Sequence, residues 1–421
     1  MKKILIIIFI IMFVGILGLS AYLGIKSKNN TDGTTEGNGI TFREFFPFGK
    51  KEEPPTPNPT DNNQNNTGNE NPNEENPTAA TKPKIRKIYQ GPVAGIISIE
   101  KTRTDKTDPN TVTLFPAVRS VNRITGNIID IFPDTEETAI ASSRIIPQIH
   151  EAIFGPLGSS VAFRYLSTDL ETTETFVASF VPGASLENSL KGTFLPEDLI
   201  SLSVDEQTGK IFYLQNFDGS ASGSTSDADG SNKKSIFSHP FSEWNTDFIS
   251  PTKILFTSKP SGLVAGYSYI LNTQNNIFEK LIGGIKGLTV LPNNAGDKFL
   301  IGEAGSSSMK ISIYDTKTSR STGTSLNTLP EKCVWNTSGT FVYCGVPLNP
   351  NAGTYPDVWY QGQVSFTDSI DKYNTQDGTK ETIGFPSEQI DFINPSLSKD
   401  ENYLYFINKR DGAVWVVDLK P

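Results

Sequence analysis

One pattern recurs along most of the chain: an apolar strand, a polar turn containing Gly, Asp or Asn, then a more strongly apolar strand. It occupies residues 152–163, 202–213, 248–256, 291–300, 334–343 and 393–405. Taking Phe163, Tyr213, Phe256, Leu300, Tyr343 and Tyr405 as equivalent, the steps between copies are 50, 43, 44, 43 and 62 residues. The region reads as short runs of Val, Ile, Tyr, Phe and Thr separated by turn residues, without an amphipathic helical period. A period of about 40–50 residues in an all-strand region predicts propeller blades of four strands each. Residues 121–128 read as the third-strand part of an earlier, less regular copy, to be compared with Leu271-Asn272-Thr273, Tyr314-Asp315-Thr316 and Tyr373-Asn374-Thr375. The count is then seven blades over 84–421, about 48 residues each. The last copy ends after its third strand, so residues 84–89 are expected to supply the missing outer strand and close the ring, removing two exposed edges.

The first 83 residues differ in kind. Residues 4–25 carry no charge, and about 33 Å of helix from such a run matches a bilayer core of about 30 Å. The run is longer than the apolar region of most cleaved signals, although Gly18-Leu19-Ser20 leaves cleavage open. With Lys2 and Lys3 before it and a long polar remainder after it, a signal anchor is expected, N-terminus inside and the body outside the cytoplasmic membrane. Residues 26–83 form a stalk. In 52–81 there are nine Asn and six Pro, a composition that cannot bury enough surface to offset its ordering entropy, so disorder is expected. Within the stalk, the island 40–49 places Phe42, Phe45, Phe46 and Phe48 together, as a patch at the lipid interface or on the body, or as a docking motif for another envelope protein.

Composition narrows the chemistry. With 37 basic and 46 acidic residues, a net charge of −9 and no dense cationic tract, nucleic acid is excluded as a partner. Two cysteines exclude a four-thiolate zinc site, and two histidines leave little for His-based chemistry. No Gly-x-Ser-x-Gly elbow occurs. Ser-x-x-Lys recurs in unrelated copies, Ser231–Lys234, Ser307–Lys310 and Ser396–Lys399 among them, and Asp227-Ala228-Asp229-Gly230 lacks the later ligands of a calcium loop. No cofactor is implied. Cys333 and Cys344 flank a turn centred on Ser338-Gly339, which sets them opposite each other, either as a disulfide in an exported protein or as two small buried hydrophobes.

The chain resembles membrane-anchored propellers of the type shared by the periplasmic Tol translocation protein B and the dipeptidyl-peptidase N-terminal propeller. It resembles more closely single-span proteins of uncultured small-genome bacteria that carry no assigned activity. The residues bearing the resemblance are Phe46-Pro47-Phe48-Gly49, Arg164-Tyr165-Leu166, Glu243-Trp244, Ser258-Lys259-Pro260-Ser261, residues 328–335, and above all Tyr355-Pro356-Asp357-Val358-Trp359-Tyr360 with the run on to Phe366. The resemblance implies the architecture and leaves function open.

The 62-residue step contains an insertion between Pro347 and Phe366. Its Tyr355, Asp357, Trp359, Tyr360 and Phe366 are candidate binding residues, because aromatic side chains on loops of rigid scaffolds are favoured anchors. The same rings equally suit a local satellite core. The reading that follows is a non-catalytic protein- or glycan-binding or scaffolding module of the cell envelope. An envelope enzyme using propeller-face carboxylates and a structural subunit docked through the stalk are the alternatives.

Overall fold

A computed structural model describes residues 82–104, 112–305 and 308–420. The expected anchor at 4–25 and the phenylalanines Phe42, Phe45, Phe46 and Phe48 lie outside these residues. The described chain forms seven four-stranded antiparallel sheets. In sequence they are blade 1 (93–142), blade 2 (149–194), blade 3 (201–239), blade 4 (244–286), blade 5 (289–323), blade 6 (333–384) and blade 7 (392–418). Blade 7 takes its outermost strand from Ile85–Tyr89, which pairs antiparallel with Val414–Asp418, Ile85 opposite Val417 and Lys87 opposite Trp415.

Why these strands stack as a ring is visible in blade 7. The strand Tyr403–Asn408 is buried at every position, as happens only when both faces of a sheet are covered. Tyr403, Tyr405 and Ile407 project to one side, into a core shared with Val93, Val118 and Ile131 of blade 1. Leu404 and Phe406 project to the other, against Tyr343 and Ile370 of blade 6. Period-two alternation therefore feeds two different cores from one strand. Among the described residues each of the seven gaps between neighbouring blades holds such a cluster. Each buried Ile, Leu or Phe contributes about 1.5–3 kcal/mol, so the ring is held by its gaps.

Turns repeat with the blades. Asn272, Asp315 and Asn374 end third strands, and each side-chain oxygen accepts a backbone N–H two residues on, at 2.9, 2.8 and 2.9 Å, the Asx turn such residues favour. The 121–128 segment belongs elsewhere in its blade: Asn122 ends the second strand of blade 1, with the same cap on Ile124 and Thr125. In blade 6 the first strand, Cys333–Trp335, pairs with Phe341–Pro347, and Cys333 and Cys344 stand opposite each other as a disulfide with Cα atoms 4.1 Å apart. The insertion, 348–367, connects the second strand of that blade to the third, Asp368–Asn374. Its base is closed by the Leu348 N–H donating to Thr367 O at 2.9 Å, and it contains one helical turn, Asp357–Tyr360.

Candidate functional site

The insertion folds inward. Tyr355, Trp359 and Phe366 are 1%, 4% and 5% exposed and form a satellite core with Met309 and Leu329. Trp359 stacks on Phe366 with ring centroids 6.1 Å apart, and Tyr355 lies 5.6 Å from Phe366. The expectation that these three rings present themselves to a ligand is therefore corrected: their surface is spent on packing. Asp357 is engaged too. It accepts the Ser261 hydroxyl at 2.9 Å and the Gly262 N–H at 2.7 Å, tying the insertion to a loop of blade 4. Any side chain at Gly262 would collide with the Tyr355 carbonyl, so glycine is what lets the two backbones approach.

What draws the rings inward is charge. Beneath them Lys332 is fully buried between Asp391 (2.6 Å) and Asp368 (2.7 Å), with the Phe366 ring centroid 4.7 Å and the Trp359 centroid 5.3 Å away. Buried carboxylates need donors, and the insertion supplies them: Trp359 Nε1 donates to Asp391 at 2.9 Å and the Phe366 N–H at 3.1 Å. From outside, Lys409 lies 3.8 Å above the Trp359 ring and donates to the Trp359 carbonyl at 2.7 Å.

Of the five candidate residues, Tyr360 alone keeps an exposed side chain. Its hydroxyl donates to Glu331, which stands in the short helical turn Pro330–Lys332 before blade 6. Glu331 leads to the centre of the ring. Inside the ring lies a channel of about 610 Å³, lined in part by Glu206 of blade 3, Asp247 of blade 4 and Glu331. A side bay of about 190 Å³ shares Asp247 and Glu331 with the channel and has Tyr360 in its wall. The insertion thus sets one aromatic side chain beside the channel.

The channel is acidic in an unusual way. Neither Glu206 nor Asp247 has an ion-pair partner among the described residues. Both residues are exposed to the channel, yet the blades around them displace bulk solvent. That enclosure, followed by the charge of Glu206, pushes Asp247 up to about 7. Enclosure first and Asp205 second raise Glu206. Enclosure also raises Glu331, outweighing its hydrogen bond from Tyr360 and the charge of Lys332. The Tyr360 phenol is driven well above its ordinary value by enclosure and by Glu331. Carboxyls whose neighbours' negative charge pushes them upward, Glu206 acting on Asp247 and Asp205 on Glu206, form a place where an incoming cation is stabilised.

These carboxylates were not singled out from the sequence. The available signal was an Asp inside the strand Trp244–Ser250, since Asp is depleted in strands. The histidines stand apart from the channel. His239 lies among Phe237, Trp244 and Phe278, its Nδ1 accepting the Phe241 N–H at 3.0 Å, and His150 is exposed. Among the described residues, no group of three or more His, Cys, Asp or Glu side chains is placed to hold a metal ion.

No protein-family model matches the chain, and no curated protein matches it in sequence. Among solved structures, oligogalacturonate lyase from Vibrio parahaemolyticus gives a TM-score of 0.49 at 12% identity, covering 80% of this chain and 93% of that one. The β-propeller domain of the trilobed protease from Pyrococcus furiosus gives 0.47 at 12% identity, covering 77% and 92%. TolB from Acinetobacter baumannii gives 0.41 at 10% identity, covering 77% and 80%. The seven-bladed fold stands on its own strand order and inter-blade cores, and no activity passes to the chain from these proteins.

Proposed function

We propose that the protein is a non-catalytic binding module of the cell envelope, anchored by residues 4–25 and displayed outside the cytoplasmic membrane. Its partner is an envelope protein presenting a basic segment, which enters the acid-lined channel beside Tyr360. The observation that carries this reading is the pair Glu206 and Asp247, facing the channel with no ion-pair partner among the described residues. The buried rings of the insertion hold Tyr360 in place and take no part in contact. The uncharged run at 4–25 and the polar stalk support the anchor and the reach.

The test uses the full chain in detergent and a fluorescent Lys/Arg-rich peptide. Anisotropy at low salt should report binding that weakens steeply as salt rises. Glu206→Gln with Asp247→Asn should weaken it by roughly tenfold or more, corresponding to about 1.4 kcal/mol. Equal affinity for both proteins would remove the channel from the reading.

A further inference from the structure

The two carboxylates that flank Lys332 differ in their surroundings. Asp391 is held at both oxygens: Oδ1 by Lys332 Nζ at 2.6 Å, Oδ2 by Trp359 Nε1 at 2.9 Å and the Phe366 N–H at 3.1 Å. At Asp368, Oδ2 accepts from Lys332 Nζ at 2.7 Å and from the Phe392 N–H at 2.7 Å, while Oδ1 is buried with no partner among the described residues. An unpartnered anionic oxygen is costly in such a place, and a proton on it removes the cost. The charge count agrees, with two buried carboxylates against one buried ammonium. Burial accordingly pushes the Asp368 carboxyl up to about 6, against the pull of Lys332. The result is an amine, a carboxylic acid and a second carboxylate in one dry chamber walled by Phe366 and Trp359.

We propose that Lys332 and Asp368 are joined by an intramolecular isopeptide bond that the folded protein makes itself. Asp391 Oδ1 takes a proton from Lys332 Nζ as general base. The freed lone pair attacks Cγ of the protonated Asp368, and the C–N bond forms. Charge gathering on Oδ2 is met by the Phe392 N–H already directed at it, as an oxyanion donor must be. The C–Oδ1 bond then breaks, and Oδ1 departs as water with its own proton and one from the attacking nitrogen. The amide keeps one hydrogen, Asp391 keeps the ammonium proton, and nothing is oxidised or reduced. Reactants held within hydrogen-bond distance by a packed fold gain the advantage of an intramolecular reaction. The bond links the approach to the first strand of blade 6 with the start of the third, enclosing both the disulfide and the insertion.

Mass spectrometry of the full chain, digested after reduction, decides the matter. The expected result is a branched peptide joining Lys332 to Asp368, lighter than its two linear parts by one water. Asp391→Asn should leave the two peptides linear. Asp368→Asn should still cross-link but release ammonia in place of water, a mass signature that a packing role does not produce. If either variant fails to fold, the wild-type digest remains decisive. Linear Lys332 and Asp368 peptides from folded wild-type protein would overturn the proposal, and so would a branch through Asp391.

Discussion

The strand Ile85–Tyr89 offers a direct measure of whether the ring behaves as one body. Ile85 lies in the gap between blades 6 and 7, and Ile88 in the gap between blades 7 and 1, both below a tenth exposed. Truncating a buried Ile to Ala costs about 2–5 kcal/mol. Because the two side chains sit in separate clusters, the costs should add, to about 4–10 kcal/mol. A domain has about 5–15 kcal/mol in all, so Ile85→Ala with Ile88→Ala removes most of it if the gaps are coupled. Hydrogen exchange read blade by blade tells the two cases apart. A cooperative ring loses protection in blade 4, on the far side, as much as in Val414–Asp418. Faster exchange confined to 85–89 and 414–418, with blade 4 unchanged, would refute the argument that the gaps act together.

The disulfide spans a sequence separation of 11, for which loop-closure entropy predicts about 3 kcal/mol; Cys333→Ser with Cys344→Ser should melt several degrees lower, and an unchanged melting temperature would contradict that estimate. Asp247 stands above its unfolded value, up to about 7, so the folded protein holds a proton that the unfolded chain has released. Its contribution to stability therefore rises as pH falls from about 7 towards 4. As pH falls through about 7 the channel also loses negative charge. Binding of the basic peptide should weaken between about pH 8 and pH 5.5, and Asp247→Asn should flatten that profile in an anisotropy titration.

The fold was legible because a propeller blade is covered on both sides. Strands such as Tyr403–Asn408 and Ile211–Phe217 begin as unbroken apolar runs, and these stand out against the polar turns that separate them. The count of seven followed from the spacing of those runs. The place of 121–128 within its blade was not legible, because an Asx cap depends only on the local backbone. Asn122 caps the turn after a second strand in the same way as Asn272 and Asn374 cap turns after third strands.

The site was harder for two separate physical reasons. A cluster of Tyr, Trp and Phe in a long connection has the same composition whether it faces a ligand or a core. What decides is the charge beneath it, and Lys332, Asp368 and Asp391 are spread over sixty residues of sequence. Asp391 needs donors in a dry place, and Trp359 and Phe366 meet that need only by turning inward. Tyr360 is the next residue along the same helical turn, so burying Trp359 leaves Tyr360 outside, against Glu331. The channel carboxylates were hidden differently. Glu206, Asp247 and Glu331 each belong to a different copy of the repeat and look like isolated surface acids. They meet only because ring closure turns every inner strand towards one axis, so their shared field is a property of the closed ring. A variant that opens the ring should then lose the peptide and the raised Asp247 titration together, whereas a variant confined to the insertion should disturb Tyr360 and leave the Asp247–Glu206 pair in place.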